Sequence, residues 1–205
     1  MASRYRTTLR EIDMKRLLTL VALATLQGCA SMAGNGPDQN FSSLKLFGAD
    51  GQPRFVVDLA CAGKSDDSTM QCQTVHHVFY DWSQDRHVTL HHVGMDDAAF
   101  QTGRSASAQQ TAGKPYVLAI RFEPIVTPGY HSWSGNAGTQ SSGFIPGRVG
   151  YEASVIVFSA STGAVVQKLS PHHQEQVPEH TNLTPAMKAD VYSVIARIDP
   201  AYSHR

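Results

Sequence analysis

Tyr116-Val117-Leu118-Ala119-Ile120-Arg121-Phe122, within residues 115–126, is the run that decides the fold. It is dense in branched and aromatic residues and too short for a core helix, so it reads as a buried central strand. Tyr151-Glu152-Ala153-Ser154-Val155-Ile156-Val157-Phe158-Ser159 is a second strand, Ser161-Thr162-Gly163 a tight turn, and 164–169 the strand that pairs back. Residues 171–182 read as a polar loop. Thr184-Pro185 then reads as an N-cap followed by Pro at the first helical position, opening a helix to about Ile198. Met187, Val191, Val194, Ile195 and Ile198 form its apolar stripe, and Asp199-Pro200 stops it. Strands and helices in this mixture predict a single α+β domain, with a mixed or antiparallel sheet and helices packed on one face.

Working back toward the N-terminus, 94–114 is a polar connection with one short helix expected over 96–101. Residues 87–93 read as a strand with Val88, Leu90 and His92 on one side. Before it, Cys72, Val75, Val78, Phe79 and Trp82 fall on one face of a helix capped at Asp67 or Ser68. The same stretch, 74–82, is rich in β-branched and aromatic residues, so one arm of a hairpin turning at 83–86 is the alternative. Residues 54–62 alternate, with Phe55, Val57, Leu59 and Cys61 facing one way and Val56, Asp58 and Ala60 the other. A short strand is expected over 43–47, ended by a turn at Asp50-Gly51.

The N-terminal region is of another kind. Met14-Lys15-Arg16 precedes an apolar run from Leu17 to Leu26, the pattern of a secretory signal and too short for a membrane span of roughly 20 residues. Leu26-Gln27-Gly28-Cys29 closes it and resembles the lipobox of bacterial lipoproteins, Gln27 being the less usual choice within it. The resemblance implies removal of residues 1–28, with Met14 as the start, and acylation of Cys29. Several acyl chains together hold a protein on a membrane, at about 0.8 kcal/mol per buried CH2. In the lipoproteins it resembles, Asp after the cysteine favours inner-membrane retention; Ala30 and Ser31 stand there instead, so the resemblance implies the periplasmic face of the outer membrane. Residues 29–40 form a lipidated flexible tether rich in Gly, Ser and Asn, and 41–205 the periplasmic domain.

The part from Cys29 onward holds 12 Lys/Arg against 15 Asp/Glu, a formal charge of −3, with no basic stripe to hold nucleic acid. With Cys29 lipidated, Cys61 and Cys72 are left as an even pair in an oxidising compartment, which predicts a disulfide. Two free thiols or a metal site is the alternative, and the spacing of 11 is not a CxxC redox motif.

From Pro115 onward the chain also resembles a group of small bacterial lipoproteins of unknown function. They share a central strand, a Gly/Tyr-rich loop, a hairpin of the form apolar strand, Asp-x-x-Thr-Gly, strand, and a closing helix. Here the run is Tyr116 to Phe122, the loop 127–147, the hairpin Tyr151 to Val166 and the helix from Pro185 to Pro200. Ser159 stands where such hairpins carry Asp, and Gln167 about where they carry Trp. The resemblance implies a layout shared with the curli-secretion and penicillin-binding-protein-activator lipoproteins, and it brings no catalytic residues.

Chemistry-bearing patterns are sparse. All ten histidines lie past Cys29, with pairs at His76-His77, His91-His92 and His172-His173. On a strand His87 and His91 share a face, and His172, His173 and His180 share one stretch with Glu175 and Glu179. Neither spacing matches a specific metal motif such as HExxH. No G-x-S-x-G elbow and no phosphate-binding Gly pattern occurs. Cofactors and catalytic residues are therefore expected to be none. Tyr130, His131, Trp133 and Phe144, on a polar stretch that is either a long loop or a projecting hairpin arm, are the partner-contact candidates. The expected function is a lipid-anchored, non-enzymatic binding or adaptor module for an envelope protein. A periplasmic zinc- or copper-binding protein using His172, His173 and His180, and an envelope hydrolase, are the other readings.

Overall fold

The structure is a computed structural model that describes residue 41 and residues 44–103, 113–134, 141–178 and 181–203. The signal, Met14, the lipobox with Cys29, the tether and His180 lie outside the described residues. β1 (Phe55–Cys61) runs into α1 (Asp66–Asp85), β2 (Thr89–His92) and the short α2 (Ala99–Thr102). β3 (Tyr116–Thr127), β4 (Tyr130–Ser134), β5 (Ser141–Ile145), β6 (Gly147–Ser159), β7 (Val165–Leu169), β8 (His172–Val177) and α3 (Thr184–Ile198) complete the order. The main sheet is six-stranded and mixed, in the order β2-β1-β3-β6-β7, with β8 also paired to β6. β1 is parallel to both β2 and β3, while β6 is antiparallel to β3, β7 and β8. The expected α+β class is the one observed, and the run around Tyr116 is indeed central.

α1 forms because its apolar stripe recurs at helical spacing, and Cys72, Val75, Val78, Phe79 and Trp82 are all buried. The expected cap at Asp67 or Ser68 is corrected to Ser65. Ser65 Oγ accepts from Ser68 N at 3.2 Å, and Ser68 Oγ accepts in return from Ser65 N at 2.8 Å. Ser68 thus takes the third-residue role in a capping box. Asp66 and Asp67 add negative charge in the first turn, where the helix dipole favours it. α3 buries its expected stripe together with Asp190, but its cap is Leu183 rather than Thr184. Asn182 Oδ1 accepts from Thr184 N at 3.0 Å, satisfying an open helix donor one step earlier.

Both long helices lie on one face, over Phe55, Val57, Leu59, Leu118, Ile120, Phe122 and Tyr151. The opposite face is buried as well, around Val56, Ala60, Val117, Ala119 and Phe158, with Phe100 of α2 packed on them. That is why β1 is buried on both faces, and why its one acid, Asp58, is a buried charge. Gly103 ends α2 in the left-handed region (φ 63°), and a Cβ there would lie 2.5 Å from the Phe158 side chain. The Cys61–Cys72 bridge joins the end of β1 to α1.

Three further expectations are corrected. The polar loop at 171–182 contains β8, whose six residues pair with Gly147–Glu152 of β6 although its side chains are almost wholly exposed. Gly150 makes room for it, since a Cβ there would stand 2.1 Å from the His173 carbonyl oxygen. Around the turn at 48–52, the described part of the short strand expected over 43–47 forms only one bridge, Phe47 with Pro53. His87 is not on β2 with His91, because it takes a left-handed turn conformation (φ 54°) between α1 and the strand.

Candidate functional site

β3 and β6 pair without interruption from Tyr116↔Ser159 to Thr127↔Arg148. Pro128, Gly129 and Pro146 then interrupt the ladder, since proline offers no N–H to a strand partner. Beyond them β4 and β5 form a separate two-stranded ribbon, so the hairpin alternative for 127–147 is the one observed. Register places Tyr130 opposite Ile145, His131 opposite Phe144 and Trp133 opposite Ser142. Alternation therefore puts Tyr130 and Ile145 on one face, and His131, Trp133 and Phe144 on the other. Trp133 is 74% exposed and Tyr130 57%, and Phe144 and Ile145 are also exposed. The His131 and Phe144 rings sit 5.4 Å apart.

From Pro124 to Gly147 the chain has no Asp, Glu, Lys or Arg. An isolated two-stranded ribbon is marginal in water, and one with exposed aromatics on an uncharged backbone has the chemistry of a contact surface. The structure thus places all four contact candidates, Tyr130, His131, Trp133 and Phe144, on one arm.

Five of the described histidines are held in four separate pairs. On β8 the side chains of His172 and His173 point to opposite faces, and His173 Nδ1 meets Asp190 Oδ1 of α3 at 2.8 Å. Burial pushes the Asp190 carboxyl up from its ordinary value, and the bond to His173 opposes the shift. Ser193, one helical turn on, is committed: its Oγ donates to the Asp190 carbonyl at 2.7 Å and lies 2.9 Å from the Tyr151 hydroxyl. This group staples the polar strand β8 to the helix and leaves no activated nucleophile at Ser193. His91 Nδ1 lies 3.0 Å from Asp58 Oδ1, with the acid side chain 2% exposed. His77 pairs with Asp81 one turn along α1, at 3.4 Å. His76 of α1 and His92 of β2 bring their Nδ1 atoms to 2.7 Å. Among the described residues no three His, Cys, Asp or Glu side chains gather into a metal-holding group.

A cleft of about 670 Å³ opens where α1 and α3 end, lined by Asp81, Asp85, Arg86, Tyr192 and Tyr202. Arg86 closes its inner wall, donating from Nε to Asp199 Oδ2 at 2.7 Å and from Nη2 to Oδ1 at 3.2 Å. Trp82 Nε1 donates to the same carboxylate at 3.3 Å. The Tyr202 hydroxyl donates to Asp85 Oδ2 at 2.9 Å. Burial, then that bond and the carboxylate's charge, push Tyr202 up to about 12. The cleft lies at the helix ends, away from the arm's exposed aromatics.

Sequence reading missed two groups that carried a signal. Asp58 interrupts the apolar run Phe55-Val56-Val57-Asp58-Leu59, and Asp190 falls on the apolar stripe of α3 between Met187 and Val191. A charge at a core position needs a partner, and each has a histidine. The His76–His92 contact had no such signal, because it joins residues 16 apart through the register of β2 on β1.

No family model and no curated sequence matches this chain. Solved structures similar to it include a proposed neuraminyllactose-binding hemagglutinin homologue from Helicobacter pylori, at 10% identity and TM-score 0.44, covering 73% of this chain and 82% of that one. The PelC dodecamer from Paraburkholderia phytofirmans is similar at 14% identity and TM-score 0.39, over 69% and 85% of the two chains. Lipoprotein GNA1162 from Neisseria meningitidis is similar at 12% identity and TM-score 0.31, over 69% and 98%. Likenesses this distant do not carry a function across. Among the described residues no helix is long and apolar enough to cross a membrane.

Proposed function

We propose that this chain is a lipid-anchored, non-enzymatic binding or adaptor module of the bacterial envelope. Acyl chains on Cys29 hold it at the periplasmic face of the outer membrane, and the β4–β5 arm is its contact element for an envelope protein. The observation that supports this reading most directly is the arm itself, an uncharged ribbon that exposes Tyr130, Trp133, Phe144 and Ile145 outside the main sheet. Large aromatics on an adaptable Ser/Gly/Asn backbone give contact area at little cost in side-chain entropy. The buried histidine–carboxylate pairs, His91 with Asp58 and His173 with Asp190, support a structural role better than a catalytic one, since each ties together neighbouring elements.

The two tryptophans make the test specific. Trp82 is fully buried and Trp133 exposed, so acrylamide-accessible, red-shifted emission belongs to Trp133. Cross-linking in intact envelopes, followed by purification, yields a discrete protein partner for the native chain and none for a chain with 128–146 replaced by a short Gly-Ser turn. Isolated envelope fractions holding that partner shift the Trp133 emission to the blue. Unchanged co-purification with the shortened arm, in a chain that still melts cooperatively, refutes the arm as the contact. Cys29→Ser releases the protein from the membrane fraction; full retention refutes the anchor. A second reading, metal binding, is favoured by one observation, the His76–His92 contact.

A further inference from the structure

His76 and His92 do more than touch. Their Nδ1 atoms are 2.7 Å apart and their ring centroids 4.4 Å apart, with the planes 24° from parallel. One residue comes from the middle of α1 and the other from the last position of the edge strand β2. Two imidazole nitrogens each about 2.0–2.1 Å from one ion stand roughly 2.9 Å apart when the angle at the ion is a right angle, and roughly 3.3 Å apart when it is tetrahedral. The observed spacing needs an opening of about 0.2 Å for the first arrangement and about three times that for the second. Right-angle nitrogen ligation is the habit of tetragonal Cu2+, which also binds imidazole more tightly than its first-row neighbours do.

We propose that His76 and His92 form a two-imidazole clamp for Cu2+, with both nitrogens bound cis and the remaining positions left to water. Two N→Cu bonds replace two water ligands of the ion. The ring that carries its proton on Nδ1 passes to the Nε2–H tautomer, both rings stay neutral, and no net proton leaves. The carboxylate nearest to His76 in sequence, Asp81, is turned to His77. The clamp is a site with open positions, and it fastens the edge strand to the helix that covers it.

The experiment titrates CuCl2 into the tag-free full chain at pH 7.5, read by calorimetry and by electron paramagnetic resonance. One equivalent is taken up, with an axial spectrum split by two nitrogens. His76→Gln and His92→Gln each raise Kd about tenfold or more, equivalent to about 1.4 kcal/mol. The double variant His172→Gln/His173→Gln leaves it unchanged. His92 is exposed at the end of an edge strand, so its variant keeps the fold, and circular dichroism verifies this. Absence of stoichiometric uptake overturns the proposal. So does uptake that survives both His76→Gln and His92→Gln, or that is lost in the His172/His173 variant instead. None of these outcomes bears on the arm, so the clamp and the adaptor reading fail separately.

Discussion

Replacing Arg86 by Ala isolates the contact that locks the end of α1 to the end of α3. The Asp199 side chain is 2% exposed and receives Arg86 Nε, Arg86 Nη2 and Trp82 Nε1, while the Arg86 side chain is 27% exposed and its guanidinium lies 4.6 Å from the Phe47 ring centre. Truncating one partner of a buried pair leaves the other charge without its counterion, at about 3–5 kcal/mol. Here the arginine end is partly wet and Trp82 still donates, so the loss sits at the low end, about 3 kcal/mol. In a chain of this size each kcal/mol moves the melting midpoint by about 2–4 °C, so thermal unfolding monitored by circular dichroism shows a drop of about 6–12 °C. Arg86→Met keeps the apolar stem over Phe47 and separates packing from charge. A double-mutant cycle with Asp199→Asn isolates the pair, with an expected coupling of about 2 kcal/mol. A loss under about 1 kcal/mol for Arg86→Ala, or a coupling indistinguishable from zero, refutes the assignment of this pair as the lock.

Three further outcomes are expected. Cys61→Ala/Cys72→Ala destabilises the chain by about 3 kcal/mol, the loop-closure value for its 11-residue separation, seen as a lower denaturant midpoint; an unchanged midpoint refutes a stabilising bridge. The lowered pKa of His76 means that the unfolded chain binds its proton more tightly, so this group's contribution is complete above the ordinary value of 6.5 and is lost as pH falls below it through the folded pKa. Melting temperature therefore declines with acidification through that window, less steeply in His76→Gln; identical slopes rule the linkage out. Gly150→Ala drives a Cβ into the His173 carbonyl and costs about 1–3 kcal/mol. By hydrogen exchange the amides of β8 lose protection while those of β7 keep theirs, and equal loss in both strands contradicts the register.

How much was legible depended on whether burial left a period in the sequence. α1 and α3 each bury one stripe, so Cys72 to Trp82 and Met187 to Ile198 announce themselves, and the β-branched content of 74–82 is outvoted by a complete apolar face. β3 was equally plain because both its faces are covered. β8 left no period, since its ladder to β6 is made by backbone and its side chains face water. The caps were misplaced by the abundance of capping side chains: Ser65, Asp66, Asp67 and Ser68 all qualify, and only geometry shows that Ser65 and Ser68 bond each other. Of the candidate site, the arm's aromatics were legible by type. The separation of β4–β5 from the main sheet was present only as one alternative, because the prolines and glycines around it mark a break in the ladder without specifying the conformation beyond the break. Apart from the i,i+4 pair of His77 with Asp81, the histidine partners were not legible, since each depends on the register of strands or on the packing of helix against sheet.

The division of β6 has a consequence for behaviour in a crowded compartment. β7 and β8 lie end to end along one edge of β6, meeting at Ser170 and Pro171, and the opposite edge of the sheet is the four-residue β2. Neither border offers a neighbouring molecule an unbroken template longer than six residues, and one of them is lined by His, Gln and Glu. Short, polar, proline-broken edges resist strand addition from other chains. The main sheet thereby offers another chain little backbone to pair with, so a partner of the kind proposed would have to be recognised through side chains rather than by strand addition.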